Sequence, residues 1–156
     1  MKPDVFTQLY IQLVFSPKPK TPILRVEHQT ELFKYVSRLV DIMGHKSLGV
    51  NGMYDHIHIF YGMKPDLSVS ETVKEIKRLS TSFIKEKGFA RGFHWQHGYG
   101  AFSYSRSQLD NVISYIKNQK DHHKKFCFED EYKSLLKLFG IEFNEKYLFD
   151  FSHKKE

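Results

Sequence analysis

Apolar and polar residues alternate with a period of two across residues 5–15. Val5, Thr7, Leu9, Ile11 and Leu13 fall on one side, and Gln8, Tyr10 and Gln12 on the other. Successive side chains of a strand point to opposite faces, so this spacing predicts a β-strand. Prolines at 17, 19 and 22 end it, because proline has no N–H to give to a ladder. The pattern then changes to a helical one over 27–43, with Leu32, Val36, Leu39, Val40 and Met43 on one stripe and Gly44 as the stop. Residues 46–54 predict a strand that turns at Tyr54-Asp55 into a second, 56–61, rich in β-branched and aromatic residues and followed by Gly62. Ser68-x-x-Glu71 reads as a capping box. The helix it opens turns Val69, Val73, Ile76, Ser80 and Phe83 inward and leaves Lys74, Lys77, Arg78 and Lys85 around the rest of its surface. A strand is predicted in the second half of the aromatic segment 93–105, then a helix over 107–123 and a shorter one over 129–139. The order β-α-β-β-α-β predicts an α+β, ferredoxin-like (split βαβ, RRM-like) antiparallel sheet with the crossover helices on one face and a helical addition at the carboxyl end. The second sheet face is expected to be open.

The length of 156 residues suits one domain over 1–156. An apolar fraction of 40% with 15% aromatics is that of a folded chain. No apolar run approaches the roughly 20 residues needed to cross a bilayer, and Gln8 and Gln12 interrupt what would be a signal-peptide core. The single cysteine, Cys127, cannot form an internal disulfide, which leads us to expect a cytoplasmic protein. A net charge of +6 favours a polyanionic partner.

Chemistry enters at the 56–61 strand. Ile57, Ile59 and Tyr61 share the face that packs on a core; His56, His58 and Phe60 share the other. Two imidazoles two residues apart on one strand face lie roughly 7 Å apart at Cα, a spacing that suits two ligands of one metal ion. The 107–123 helix buries Leu109, Val112, Ile113 and Ile116 and carries a separate polar column of Asn111, Tyr115, Gln119 and His122. Beside a pair of imidazoles, Tyr115 offers a phenol oxygen as nucleophile and Gln119 a carbonyl oxygen as a third, hard ligand. Adjacent helical residues diverge by about 100°, so His123 is expected to be solvated while His122 lies near the site.

In these residues the sequence resembles the single-tyrosine HUH transposases of the insertion sequence 200/605 group. The resemblance lies in Asp55-His56-Ile57-His58, Leu13-Val14-Phe15-Ser16, Ser68-Val69-Ser70, Ile76-Lys77-Arg78-Leu79-Ser80, Trp95-Gln96-His97-Gly98-Tyr99-Gly100-Ala101-Phe102 and Tyr115-Ile116-x-Asn118-Gln119-x-x-His122-His123-Lys124. It covers nearly the whole chain. It implies that Tyr115 is the catalytic nucleophile on a carboxyl-terminal catalytic helix, and that His56, His58 and Gln119 bind a divalent metal, Mg²⁺ or Mn²⁺. The implied reaction is cleavage and rejoining of single-stranded DNA at hairpin-bearing element ends through a 5′-phosphotyrosine. The implied partners are hairpin DNA and a second copy of the chain, in a homodimer whose active sites are composite.

Basic residues that can neutralise phosphates include Lys74, Lys77, Arg78, Lys117, Lys120, Lys124 and Lys125, and Trp95 and Tyr99 head the aromatics that can stack on unpaired bases. Two other readings keep the same fold: a host-domesticated relative acting on chromosomal repeat hairpins, and a non-catalytic single-strand-binding regulator.

Overall fold

The structure is a computed structural model that describes residues 4–21, 23 and 25–153. Pro22, part of the break expected after the first strand, lies outside the described residues. The chain runs β1 (Tyr10–Phe15), α1 (Val26–Ile42), β2 (Lys46–Met53), β3 (His56–Gly62), α2 (Val69–Lys87), β4 (Gly100–Tyr104), α3 (Leu109–Lys117), α4 (Gln119–His122) and α5 (Phe128–Leu138), with short 3₁₀ turns at Arg106–Gln108 and Glu145–Tyr147. The four strands form one antiparallel sheet in the order β2-β3-β1-β4. This is the ferredoxin-like α+β arrangement that the element order predicts.

Local chemistry explains most boundaries. Ser68 caps α2 by accepting the Glu71 N–H at 3.1 Å, and Gly88 ends that helix in the left-handed region at φ 67°. At the β2–β3 turn a Cβ on Gly52 would stand 2.2 Å from the His56 carbonyl oxygen, so only glycine lets β2 approach the start of β3. β1 is shorter than expected. Its register pairs Tyr10 with Gly62 of β3 and Tyr104 of β4, where both neighbours end, so residues 5–9 have no strand to join and Phe6 stays exposed.

The two sheet faces carry different contents. Leu13, Phe15, Ile57, Ile59 and Tyr61 are fully buried in the main core with Leu32 and Val36 of α1 and Val73 and Ile76 of α2. Each aliphatic or phenylalanine side chain among them contributes about 1.5–3 kcal/mol on leaving water. The opposite face, expected to be open, is covered. Phe60 packs on Val112 and Ile116 of α3, and Phe102 lies 4.9 Å, ring to ring, from Phe139 just beyond α5. Gly100 admits α5, since a Cβ there would meet the Tyr132 ring at 2.8 Å. Among the described residues no helix is long and apolar enough to cross a membrane.

Candidate active site

The helix expected over 107–123 is broken at Asn118, whose φ and ψ of −96° and 21° leave helical geometry between α3 and α4. The break is held from the sheet, where Asn51 of β2 bonds the carbonyls that end α3. Past it, Gln119 points back under the sheet and is fully buried. His56 and His58 are also buried on β3, facing α3–α5.

These side chains converge. His56 Nε2 donates to Gln119 Oε1 at 2.9 Å, and its Nδ1 donates to Asp55 Oδ1 at 2.8 Å. His58 Nε2 donates to Glu131 Oε1 at 3.0 Å, while its Nδ1 accepts from Gln12 Nε2 at 2.8 Å. Glu131 comes from α5 and is 5% exposed, so it is a buried carboxylate at the centre of the cluster. Its Oε2 accepts from the Tyr115 hydroxyl and, at 3.0 Å, from Gln119 Nε2. His123 Nε2 donates to both Gln119 Oε1 (3.0 Å) and Glu131 Oε1 (3.1 Å), and its Nδ1 to the Phe126 carbonyl at 2.7 Å. The solvated position expected for His123 is therefore corrected. The break at Asn118 removes the continuous helix on which the 100° argument depends, and His122 and His123 both reach Glu131, at 3.4 and 3.1 Å.

Electrostatics follow from burial and from these partners. Burial alone would lower the His56 pKa, but the hydrogen bond to Asp55, the Asp55 charge and the nearby Glu131 charge raise it above the ordinary value. His58 moves down, because desolvation outweighs the attraction of Glu131. Burial works to raise the Glu131 pKa, yet the surrounding imidazoles hold the carboxyl far below the usual range. The Tyr115 phenol is pushed well up by burial and by the Glu131 charge beside it, so it sits protonated on that carboxylate.

The donor set suits a divalent cation. Ligating atoms of His56, His58 and Glu131 all lie within 4.8 Å of one another, and the Gln119 carbonyl oxygen is 2.9 Å from His56 Nε2. The Nδ1–H of His56 rests on a carboxylate, an outer contact that orients an imidazole to ligate through Nε2. Gln12 can serve either tautomer of His58, since the Tyr104 hydroxyl that donates to its Oε1 at 2.6 Å can equally accept. Each Nε2–H now directed at an oxygen in the centre marks a place where a cation can stand instead of a proton. A cavity of about 440 Å³ opens beside Tyr115 between α3 and α5, lined in part by Tyr104, Asn111, Phe126 and Leu138.

Tyr115, His56, His58 and Gln119 are thus brought together, and the expected DNA contacts are sorted. Lys77 is committed inside the fold, its Nζ donating to the carbonyls of Gln96 (2.8 Å) and Gly98 (2.7 Å), with burial lowering its pKa to about 8. Trp95 is core, packed edge-on to Phe15 and donating through Nε1 to Ser80 Oγ at 2.9 Å, so it has no free face for a base. Lys120 half-buries its stem and donates to Gln29 Oε1 at 2.9 Å. Lys74 and Arg78 are exposed on α2, Arg78 paired with Glu75 at 2.7 Å. That helix covers the Phe15 face, where Lys77 lies over the Phe15 ring, so both stand behind the sheet from the imidazoles. Tyr99 is partly exposed.

Sequence reasoning missed Glu131, and a signal was present. Phe128, Tyr132, Leu135 and Leu136 define the buried stripe of α5, and Glu131 falls inside it. A carboxylate at a core position calls for a partner.

Residues 5–119 match the family model described as Transposase IS200 like. The chain belongs to that family of transposases. A candidate transposase from Deinococcus radiodurans shares the fold at a TM-score of 0.57 and 20% identity, over 76% of this chain and 96% of that one. A REP-associated tyrosine transposase, solved bound to a REP hairpin, matches at a TM-score of 0.56 and 14% identity, over 79% of this chain and 74% of that one. Among curated proteins, no sequence matches the chain.

Proposed function

We propose that this transposase cleaves and rejoins single-stranded DNA beside hairpins, with Tyr115 as nucleophile and a divalent ion, Mg²⁺ or Mn²⁺, held by His56, His58 and Gln119. The observation that carries the reading is the meeting of the Tyr115 hydroxyl with both imidazoles and the Gln119 amide around one carboxylate. When bound, the ion supplies Lewis-acid polarisation of the scissile phosphate and neutralises charge as the 3′ oxygen departs. The protein's own residues do the remainder. Asp55 and Gln12 hold the two imidazoles in orientation. The cavity between α3 and α5 admits an unpaired nucleotide next to the phenol. Tyr115 Oη attacks phosphorus, the P–O3′ bond breaks, and the phenol proton passes by way of Glu131 Oε2, which already accepts it, to the departing oxygen, leaving a 5′-phosphotyrosine and a free 3′-hydroxyl. Attack by another 3′-hydroxyl reverses the step and joins a new strand without ATP.

Hairpin DNA as the partner draws support from the family and from the hairpin-bound relative of the same fold. A homodimer remains part of the proposal. In that homodimer the active sites are composite, the arm carrying Tyr115 serving the metal centre of the partner. The test is incubation with single strands taken from the gene's own flanks. Cleavage next to a hairpin in Mg²⁺, abolished by EDTA and absent on plain duplex, is the expected result. Equal cleavage with EDTA present would overturn the metal assignment, and binding with no cleavage in any divalent ion would leave a regulator instead.

A further inference from the structure

We infer that Glu131 is itself a ligand of the ion, so that two imidazole nitrogens, the Gln119 oxygen and one carboxylate oxygen of α5 form the centre. The inference rests on the metal-dependent reading above and adds to it a residue that lies beyond the family-matched segment 5–119.

The position of the carboxylate is the first reason. Glu131 Oε1 lies 3.0 Å from His58 Nε2, 3.4 Å from His56 Nε2 and 3.1 Å from His123 Nε2. An ion that meets both strand imidazoles on this face also meets that oxygen. Residues on both sides of Glu131 fix its aim: the Phe128 ring stacks on His56 at 4.3 Å and 2°, and Tyr132 seats on Gly100. A carboxylate withdrawn from water costs several kcal/mol unless positive charge meets it. The other buried residues of that stripe are apolar or aromatic, so the carboxylate is there for the partners it meets across the sheet.

Charge is the second reason. Two imidazoles and an amide leave a divalent ion uncompensated; one carboxylate and one phosphodiester bring the loaded centre to neutrality. Oxygen donors also shift the preference toward hard ions such as Mg²⁺ and Mn²⁺. A rival grouping of His122, His123 and Glu131 has ligating atoms equally close, but it is partly exposed and omits both strand imidazoles. The remaining oxygen of Glu131 holds the Tyr115 hydroxyl. One carboxylate therefore sets the distance from nucleophile to ion, and Glu131 is a positioning residue for Tyr115 as well as a ligand.

The experiment is Mn²⁺ titration of the full chain without DNA, followed by electron paramagnetic resonance. Wild type should bind one ion, Glu131→Gln should bind at least about tenfold more weakly, and Glu131→Ala more weakly still. Unchanged affinity in both variants, with thermal midpoints showing them folded, overturns the inference and leaves the metal-dependent reading intact. If wild type binds no Mn²⁺, or His56→Ala binds as tightly as wild type, that reading fails and the inference with it. A loss on His122→Ala with none on His58→Ala places the ion in the rival grouping, which also contains Glu131, and overturns the centre built on the two strand imidazoles. Wild type labelled with ¹³C at glutamate carboxyls needs no variant: a ¹³C hyperfine coupling to bound Mn²⁺ is expected, and its absence contradicts ligation.

Discussion

Asn51, on β2, reaches across the sheet face and donates through Nδ2 to the carbonyl oxygens of Ile116 (3.0 Å) and Lys117 (3.1 Å). The last carbonyls of a helix have no partner within it. By satisfying two of them, Asn51 lets α3 stop at Lys117, and α4 then starts in the direction that buries Gln119. Asn51→Ala should cost about 1 kcal/mol of stability, since the part-buried Ile116 carbonyl loses its donor while the exposed Lys117 carbonyl can turn to water. It should also weaken Mn²⁺ binding well below the new thermal midpoint, because Gln119 is no longer held. Thermal denaturation with Mn²⁺ titration at a temperature where both proteins are folded checks this; wild-type metal affinity in a destabilised variant would contradict it.

Two histidines should titrate in opposite directions in the metal-free protein. His45 is buried, accepts the Lys64 backbone N–H at Nδ1 (2.9 Å) and donates from Nε2 to Thr72 Oγ1 (2.9 Å). Burial first, then the Lys64 charge, lowers its pKa. The unfolded chain, near 6.5, then binds the proton more readily, so His45 subtracts stability as pH falls below that value. His56 is raised, chiefly by Asp55 against the effect of burial, so its contribution is present below 6.5 and is lost as pH rises through its folded value. Imidazole NMR titrations should give a His45 midpoint below about 6.5 and a His56 midpoint above it. The reverse order would contradict the geometry. Metal must displace the His56 proton, so Mn²⁺ binding should also tighten as pH rises through that midpoint.

Lysines that look alike in sequence should separate in a salt titration. Lys77 holds the carbonyls of Gln96 and Gly98, whereas Lys124 and Lys125 stand exposed just past the site. Lys77→Met should lower the thermal midpoint and leave the salt dependence of single-strand binding unchanged. Removing a lysine that contacts a phosphate should reduce the slope of log affinity against log salt by about 0.7. We expect that reduction for Lys124→Ala and Lys125→Ala. A reduced slope for Lys77→Met would restore Lys77 as a phosphate contact.

What the sequence revealed and what it hid have the same physical origin. Regular elements repeat, so the period of two in β3 shows His56 and His58 on one face, and the four-residue step over the expected 107–123 helix pairs Tyr115 with Gln119, although the chain reaches that pairing across a break between α3 and α4. The Ser68 cap and the order of elements along the chain were legible for the same reason. Irregular points carry no period. The break at Asn118 depends on Asn51, some 65 residues away in the chain, and it alone turns His123 into the site. Aromatic and basic residue types suit nucleic acid, and by type alone Trp95 and Lys77 belong among the expected DNA contacts. Their actual partners, Ser80 and two loop carbonyls, become visible only in three dimensions. Glu131 was legible in principle as a charge inside an apolar stripe, but its partners come from β3, α4 and the segment after it.

Tyr115 as the nucleophile is tested most directly by mapping the covalent product. Full-length protein is incubated with Mn²⁺ and a hairpin-bearing single strand from the gene's flank, digested, and read by mass spectrometry. A nucleotide joined through its 5′ phosphate to Tyr115, and lost in Tyr115→Phe while hairpin binding persists, is the predicted result. An adduct on any other residue, or one that survives Tyr115→Phe, would contradict it.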